Sequence, residues 1–170
     1  ALRRPLELIG TAGLTDPVAL CAAAHVGSLP ALHDFIRLLV DSGCNLSIGG
    51  PKSQPPIYKK ERLPGQGWHH RGLDITSTHV GWYDVHYVTA TGQAECKTIA
   101  VAYSEELYDK RPGDHDILLS QSQLRKTAGI SFAYPAAGKG LPTATNDDGV
   151  PLVFEETKGL CYLVRPADGI

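Results

Sequence analysis

The sequence lacks long apolar segments and any strong excess of charge. No apolar run approaches the roughly 18 residues of a membrane-spanning helix, so we expect no membrane span. The 16 lysines and arginines nearly balance the 18 aspartates and glutamates, and the formal net charge is −2. This balance argues against nucleic acid held mainly by bulk electrostatics, and leaves open a local basic patch. With 42% hydrophobic and 20% charged residues, the composition excludes disordered and fibrous proteins.

Methionine is also absent, and Ala1 is not followed by a positively charged segment and an apolar signal core. We therefore expect a mature chain whose initiator and leader are gone, and a secreted protein. The triplet Asn45-Leu46-Ser47 is a glycosylation sequon, which favours the same route. At 170 residues, the chain can bury roughly two thirds of its unfolded surface in one core. We predict a single globular domain over residues 1–170.

The four cysteines are widely spaced, and no C-x-x-C pattern occurs. This absence argues against a zinc ribbon or a dithiol redox site. In an oxidising compartment the four thiols could form two disulfides in any of three pairings. We favour Cys21 with Cys44 and Cys96 with Cys161, the alternative being four small buried apolar side chains.

The N-terminal quarter is predicted to form a pair of helices. Asp16 followed by Pro17 is typical of a helix start, and the first helix would end at Gly27. Ser28 would cap a second helix that ends at Gly43. This second helix is predicted because apolar residues recur at intervals of three and four, at Leu29, Leu32, Phe35, Ile36, Leu39 and Val40.

The rest of the chain is predicted to be mainly β. A short strand at residues 46–48 would be followed by a long loop from Gly49 to Gly67, which carries a charged cluster at residues 58–62. A short helix is expected at residues 118–126. Segments rich in β-branched and aromatic residues predict strands at residues 73–78, 82–89, 94–103, 130–134, 151–154 and 160–164. The expected fold class is α+β, with the N-terminal helical pair packed on a mainly antiparallel β-sheet.

The segment Ala90-Thr91-Gly92-Gln93 is predicted to be the turn of a hairpin between two of these strands. Because side chains alternate along a strand, this turn places Asp84 and His86 on one face with Lys97. His86 and Lys97 would then be cross-strand neighbours. The other face would carry Tyr83, Val85, Tyr87, Cys96, Thr98 and Ala100.

Four of the seven histidines lie between residues 69 and 86, together with both tryptophans and two aspartates. Imidazole and carboxylate groups are zinc ligands, and a catalytic zinc ion takes three protein ligands and a water molecule. The first hypothesis is therefore a zinc site formed by His70, Asp74 and either His79 or His86. Such a metal would generate hydroxide near neutral pH.

The segment His70-Arg71-Gly72-Leu73-Asp74-Ile75 locally resembles the first ligand pair of zinc-dependent peptidoglycan peptidases. The resemblance implies zinc-dependent hydrolysis with His70 and Asp74 as ligands. In that family the ligands are further apart than here, so the chain is not assigned to it. The motif H-E-x-x-H does not occur either.

A second hypothesis needs no metal and uses general acid–base catalysis, as in small secreted ribonucleases. His86 would be paired with Glu95 or with a second histidine, and Asp84 could orient the imidazole ring. For a phosphate group, the sequence offers Arg71 and Lys97 but no distinct binding set beyond them.

In a third hypothesis, Cys21 is a nucleophile and His79 its base. The segment His79-Val80-Gly81-Trp82-Tyr83 resembles the histidine strand of cysteine amidases and peptidases that act on cell-wall peptides. The residues around Cys21 lack the serine or glycine usual at such a nucleophile. A disulfide at Cys21 would also exclude this mechanism.

The alternative to an enzyme is a secreted effector, toxin or carbohydrate-binding module. Histidines and aromatic residues are common on half-exposed sheet faces, and Trp68 and Trp82 would then be exposed stacking surfaces. Our prediction is a secreted hydrolase with a small molecule, glycan or peptide as substrate; its cofactor is zinc under the first hypothesis and none under the others. Asp84, Glu95 and His86 are the predicted catalytic residues, Trp68, Trp82 and Arg71 the substrate-binding residues, and His70, Asp74, His79 and His86 the metal ligands.

Overall fold

The computed structural model describes residues 4–6, 18–20, 37–107 and 117–166, and most of them form strands. One helix is described in full, α1 (Gln121–Thr127). The strands are β1 (Val18–Leu20), β2 (Arg37–Asp41), β3 (Ile48–Gly49), β4 (Tyr58–Arg62), β5 (Trp68–Arg71), β6 (Ile75–Ser77), β7 (His79–Val88), β8 (Ala94–Tyr103), β9 (Ile117–Ser120), β10 (Ser131–Ala133), β11 (Thr143–Thr145), β12 (Phe154–Thr157) and β13 (Leu160–Val164).

Eight of these strands form one large mixed sheet in the order β12-β13-β2-β9-β3-β8-β7-β4. The pairs β2–β9 and β3–β8 are parallel, whereas the other neighbours are antiparallel. A small sheet contains β1, β5 and β6, and β10 pairs with β11. The predicted fold class, a helical pair packed on a mainly antiparallel sheet, is therefore wrong.

The described parts of both predicted N-terminal helices are strands. Residues 18–20 form β1, which runs parallel to β5, and residues 37–41 form β2 in the interior of the large sheet. Leu38, Leu39 and Val40 are all buried because β2 is covered on both faces. A strand that is buried on both faces is a continuous apolar run in the sequence. Apolar spacing alone does not distinguish such a run from a buried helix. The rest of the two predicted helices, apart from residues 42 and 43, lies outside the described residues.

Other boundaries also differ from those predicted. The expected loop from Gly49 to Gly67 contains β4, a charged strand at the edge of the large sheet. Charged side chains are typical of edge strands, where they discourage pairing with another chain. Residues 68–71, which lie between the predicted loop and the strand predicted at residues 73–78, form β5. Helix α1 begins at Gln121 because the apolar residues before it form β9.

The large sheet has an apolar core on each face. On the front face, residues of the sheet pack against the small sheet and its loops, with a core that includes Leu39, Ile48, Trp68, Ile75, Val80, Trp82, Ala100 and Ala102. On the back face, the core includes residues of α1 and β11 and contains Leu38, Val40, Tyr83, Val85, Tyr87, Ile99, Val101, Leu124 and Ala144. Alternate residues of each central strand therefore enter different cores, as the pleat requires.

Helix α1 is fixed to the sheet by buried hydrogen bonds. The Ser120 hydroxyl caps the helix by accepting from the Gln123 backbone N–H at 3.1 Å, and it donates to the Cys44 carbonyl at 2.7 Å. The Gln123 side chain accepts from the Ser47 N–H at 2.9 Å and donates to the Ala100 carbonyl. These bonds satisfy backbone groups that would otherwise be buried without partners.

The predicted disulfide between Cys96 and Cys161 is wrong, because both residues are free thiols. Cys96 shares the front face with Ala100, whereas Cys161 pairs with Val40 on the back face. Two cysteines on opposite faces of a sheet cannot meet the distance that a disulfide needs. Cys44 is disulfide-bonded, and its predicted partner, Cys21, lies outside the described residues.

Candidate functional site

The site is positioned by the hairpin of β7 and β8, which pair along ten residues each. The Thr89 N–H donates to the Gln93 carbonyl at 2.8 Å, and the Gly92 N–H donates to the Thr89 carbonyl at 2.9 Å. The loop thus has three residues, 90–92. Gly92 has a φ of 89°, the left-handed conformation that such three-residue hairpin loops require at their last position.

This loop length sets a register one residue away from the predicted one. Asp84 lies opposite Thr98 and His86 opposite Cys96, whereas Lys97 lies opposite Val85. A shift of one residue moves every side chain of a strand to the other face. The predicted His86–Lys97 neighbours are therefore wrong, and Cys96 and Thr98 join Asp84 and His86 on the front face.

Asp84, His86 and Cys96 form a compact group on this face. One donor atom from each residue lies within 4.8 Å of the other two, and the Cys96 Sγ is 3.9 Å from the His86 Nε2. Among the residues that the structure describes, this is the one group of three or more histidine, cysteine or acidic side chains at such distances. It combines a thiol, an imidazole and a carboxylate.

The Asp84 carboxylate is held by two hydroxyl groups. Tyr58 of the edge strand β4 donates to Oδ1 at 2.8 Å, and Thr98 of β8 donates to the same oxygen at 2.7 Å. Hydrogen bonds from both neighbouring strands fix the carboxylate in one orientation. Both hydrogen bonds are accepted by one oxygen of the carboxylate.

The group lies where the front-face core ends. Earlier residues of the same face of β7, Val80 and Trp82, are buried in that core. Further along, Asp84 and His86 are half-buried and Cys96 is exposed. The site is therefore open to solvent on one side and bounded by the apolar core on the other, so that a ligand can reach all three donor groups.

Burial, with the Asp84 carboxylate as a second cause, raises the pKa of the Cys96 thiol. Burial and the hydrogen bond to Asp84 also raise the pKa of Tyr58. Both groups are therefore protonated at neutral pH in the protein alone. A catalytic cysteine usually has a lowered pKa, so these surroundings do not favour Cys96 as a metal-free nucleophile.

The separations fit one metal ion. With Zn–S near 2.3 Å and Zn–N near 2.0 Å, a tetrahedral zinc ion places its sulfur and nitrogen ligands about 3.6 Å apart. The observed distance between the Cys96 Sγ and the His86 Nε2 is 3.9 Å.

The predicted metal ligands His70, Asp74 and His79 do not join His86 in such a group. His70 is fully buried, and its Nε2 lies 2.6 Å from the Ser77 hydroxyl. Asp74 is exposed on a turn, and its carboxylate lies 3.6 Å from the His69 Nε2.

The Nδ1 atom of His79 lies 2.8 Å from the Thr78 hydroxyl, and the His79 ring packs edge-on against Tyr103. Cys21, the proposed partner of His79 in the third hypothesis, lies outside the described residues.

The predicted substrate-binding and acid–base residues are also dispersed. Trp68 is 8% exposed and Trp82 is 3% exposed, so neither is an exposed stacking surface. Arg71 is exposed at the end of β5.

Glu95, a predicted acid–base residue, lies opposite Tyr87 on the back face. There it accepts a hydrogen bond from the Asn146 side chain at 3.1 Å, and so it points away from His86. Of the predicted catalytic residues, the structure brings together Asp84 and His86.

Cys96, Tyr58 and Thr98 were missed as members of the site. The sequence carried one usable signal, the three-residue spacing of a hairpin loop that ends in glycine. That loop would have aligned Cys96 with His86. Tyr58 could not be found this way, because its strand was predicted to be a loop.

The chain has no match among known protein families, curated protein sequences or solved structures. No helix in the described ranges is both long enough and apolar enough to cross a membrane.

His70 gives a prediction about stability. Burial, with the neighbouring His69 as a second cause, lowers the pKa of His70 from 6.5 to about 4. The unfolded chain therefore binds this proton before the folded protein does as the pH falls. The free energy of unfolding should drop by roughly 3 kcal/mol from this residue between about pH 6.5 and pH 4 and level off below.

Urea unfolding from about pH 7 to about pH 4 would measure this loss. The variant His70→Gln should show a correspondingly smaller loss over the same range, whatever its stability at neutral pH. His69→Gln, which changes the exposed neighbour, should keep most of the loss. Equal pH dependence in the wild type and His70→Gln would contradict the assignment.

Proposed function

We propose that the protein is a zinc-dependent hydrolase whose metal ion is bound by Asp84, His86 and Cys96. The observation that supports this proposal most directly is the convergence of three chemically different zinc donors within 4.8 Å. The proposal keeps His86 as a metal ligand and Asp84 as a member of the site. Cys96 replaces His70, Asp74 and His79 as a metal ligand.

The donor set favours zinc over hard cations. Calcium and magnesium take oxygen ligands, whereas thiolate and imidazole suit zinc and related transition metals. A divalent cation would also balance the negative charges that Asp84 and a thiolate at Cys96 would bring together. The hydrogen bonds from Tyr58 and Thr98 to Asp84 are the kind of outer contact that orients a ligating carboxylate.

Three protein ligands leave a fourth coordination position for water. Zinc lowers the pKa of a bound water molecule to about 7, which supplies a nucleophile for hydrolysis at neutral pH. The solvent-open side of the group would admit the substrate. Closed structural zinc sites use four protein ligands, so an open three-ligand set is typical of catalysis. Secretion of the protein stays a prediction.

The proposal predicts one zinc ion per chain. The protein should be purified without chelators and its zinc content measured by elemental analysis, with cobalt substitution as a second measurement. A thiolate-to-cobalt charge-transfer band is expected because Cys96 is a ligand. His86→Ala should lose the metal, whereas His69→Ala, which removes an exposed histidine outside the group, should retain it.

Absence of stoichiometric zinc or cobalt binding in the folded wild type would contradict the proposed site. Equal metal content in His86→Ala and wild type would also contradict it. Rapid alkylation of Cys96 at neutral pH in metal-free protein would favour a thiol–imidazole nucleophile instead.

A second prediction concerns the hydrogen bond between Tyr58 and Asp84. Tyr58→Phe removes the hydroxyl and should weaken zinc binding about tenfold. This is at the lower end of the effects seen when a hydrogen bond to a metal ligand is lost, because Thr98 still donates to Asp84. Competition with a chromogenic chelator would give the dissociation constants. Tyr103→Phe is the matched control, since its hydroxyl bonds to Glu105. Unchanged affinity in Tyr58→Phe would show that the contact does not orient a ligand.

The catalytic half of the proposal needs its own test. Zinc-loaded protein should hydrolyse an activated ester such as p-nitrophenyl acetate faster than the same protein after chelation. His86→Ala should have the chelated rate in both conditions. Zinc binding without any zinc-dependent hydrolysis of esters, peptides or glycosides would leave the metal site in place and overturn the hydrolase assignment.

A further inference from the structure

The loop between β10 and β11, residues 134–142, carries both of the exposed large hydrophobic side chains in the described part of the chain. Tyr134 is 45% exposed and Leu141 is 75% exposed. They lie near the two ends of the same loop. Apolar residues scattered singly over a surface are common, whereas apolar residues gathered in one exposed segment mark an interaction surface.

The base of this loop is anchored to the sheet. β10 and β11 pair antiparallel, with Phe132 opposite Ala144, and both residues contact the back-face core. The rings of Phe132 and Tyr134 lie against the ring of Phe154, with centroid distances of 5.5 Å and 6.5 Å. The Tyr134 ring is therefore held in position while nearly half of the residue faces solvent.

The tip of the loop is a tight turn that projects into solvent. The Lys139 N–H donates to the Ala136 carbonyl at 2.9 Å, and Gly138 has a φ of 80°, as the third residue of a type II turn requires. A Cβ atom added at Gly138 would meet no other atom within 4 Å. Residues 133–141 are all exposed, so the tip stands clear of the sheet.

The charge of this hairpin is positive. Lys139 is the one charged residue between residues 131 and 146, and it lies two positions before Leu141. The phosphate groups of a phospholipid surface are negatively charged, and a lysine side chain can reach them while its methylene groups cover apolar surface. Tyrosine is enriched at membrane–water interfaces because its ring is apolar and its hydroxyl is polar.

We propose that residues 134–142 form a membrane-docking loop, which inserts Leu141 into the interface of a phospholipid bilayer. Lys139 would lie at the phosphate groups and Tyr134 at the level of the headgroups. Segments that bind in this way combine apolar contact with attraction to anionic lipid. A stable protein–protein interface buries about 800 Å² on each partner, which a narrow turn does not offer, whereas a lipid surface closes around a small projection.

Co-sedimentation of the full chain with phospholipid vesicles tests the proposal. The wild type should bind phosphatidylcholine vesicles, and should bind more tightly when they contain phosphatidylserine. Leu141→Asp should weaken both interactions at least about tenfold, because it replaces the inserted apolar group with a negative charge.

Lys139→Gln should weaken binding to the phosphatidylserine vesicles about fivefold, the effect of one lysine near an anionic surface. Lys59→Gln is the matched control and should bind as the wild type does. Lys59 is also exposed, but it belongs to β4, at the opposite edge of the large sheet from Phe154 of β12.

A Leu141→Trp variant measures insertion directly. Trp68 and Trp82 are buried, so vesicles should not change their emission. The introduced indole should emit at shorter wavelength when vesicles are added, and brominated phosphatidylcholine should quench it.

Three results would each overturn the proposal: no sedimentation of the wild type with either kind of vesicle, equal binding by Leu141→Asp and the wild type, or an introduced indole that brominated lipid does not quench. Self-association of lipid-free protein that Leu141→Asp abolishes would assign the loop to a second copy of the chain instead. These outcomes are independent of the zinc proposal, because Leu141 and Lys139 lie outside the Asp84 group.

Discussion

The pairing register of β7 with β8 is the constraint on which both the fold and the site depend. Its ten residue pairs make it the longest ladder of the large sheet, and the three-residue loop that closes it fixes which side chains share a face. In this register Val80, Trp82, Ala100 and Ala102 enter the front core. The same alternation places Asp84, His86 and Cys96 on the front face, next to the edge of that core.

The front face of the large sheet is covered only in part, and this leaves the candidate site accessible. The small sheet covers the front face over one end of β7 and β8, and polar side chains occupy the uncovered end. On the back face, α1 and β11 contribute to the core. At the uncovered end of the front face, β7 passes from the apolar core into a segment whose polar side chains are half-buried.

The hairpin strands could be predicted from the sequence, since residues 82–89 and 94–103 are rich in β-branched and aromatic residues. Residues 160–164 were also placed correctly. The N-terminal helices were wrong because Leu38, Leu39 and Val40 belong to a strand covered on both faces, for which apolar spacing carries no distinctive period. Where β2 lies in the sheet depends on contacts with β13 and β9, which are distant in sequence.

The candidate site was predictable only in part. Asp84 and His86 were found because acidic and imidazole groups alternate on one predicted strand. Cys96 was missed because a register error of one residue placed it on the opposite face, where a disulfide with Cys161 accounted for it. Tyr58 and Trp82 depended on tertiary packing: the first reaches Asp84 from an edge strand, and the second is buried beneath the small sheet.

The central claim is that this register forms a zinc site that includes a cysteine, and X-ray absorption spectroscopy of the zinc-loaded protein tests it most directly. The account predicts one sulfur atom at about 2.3 Å from zinc, together with nitrogen and oxygen ligands at about 2.0–2.2 Å. Cys96→Ser should remove the sulfur contribution. A zinc ion surrounded by nitrogen and oxygen alone in the wild-type protein would contradict the account.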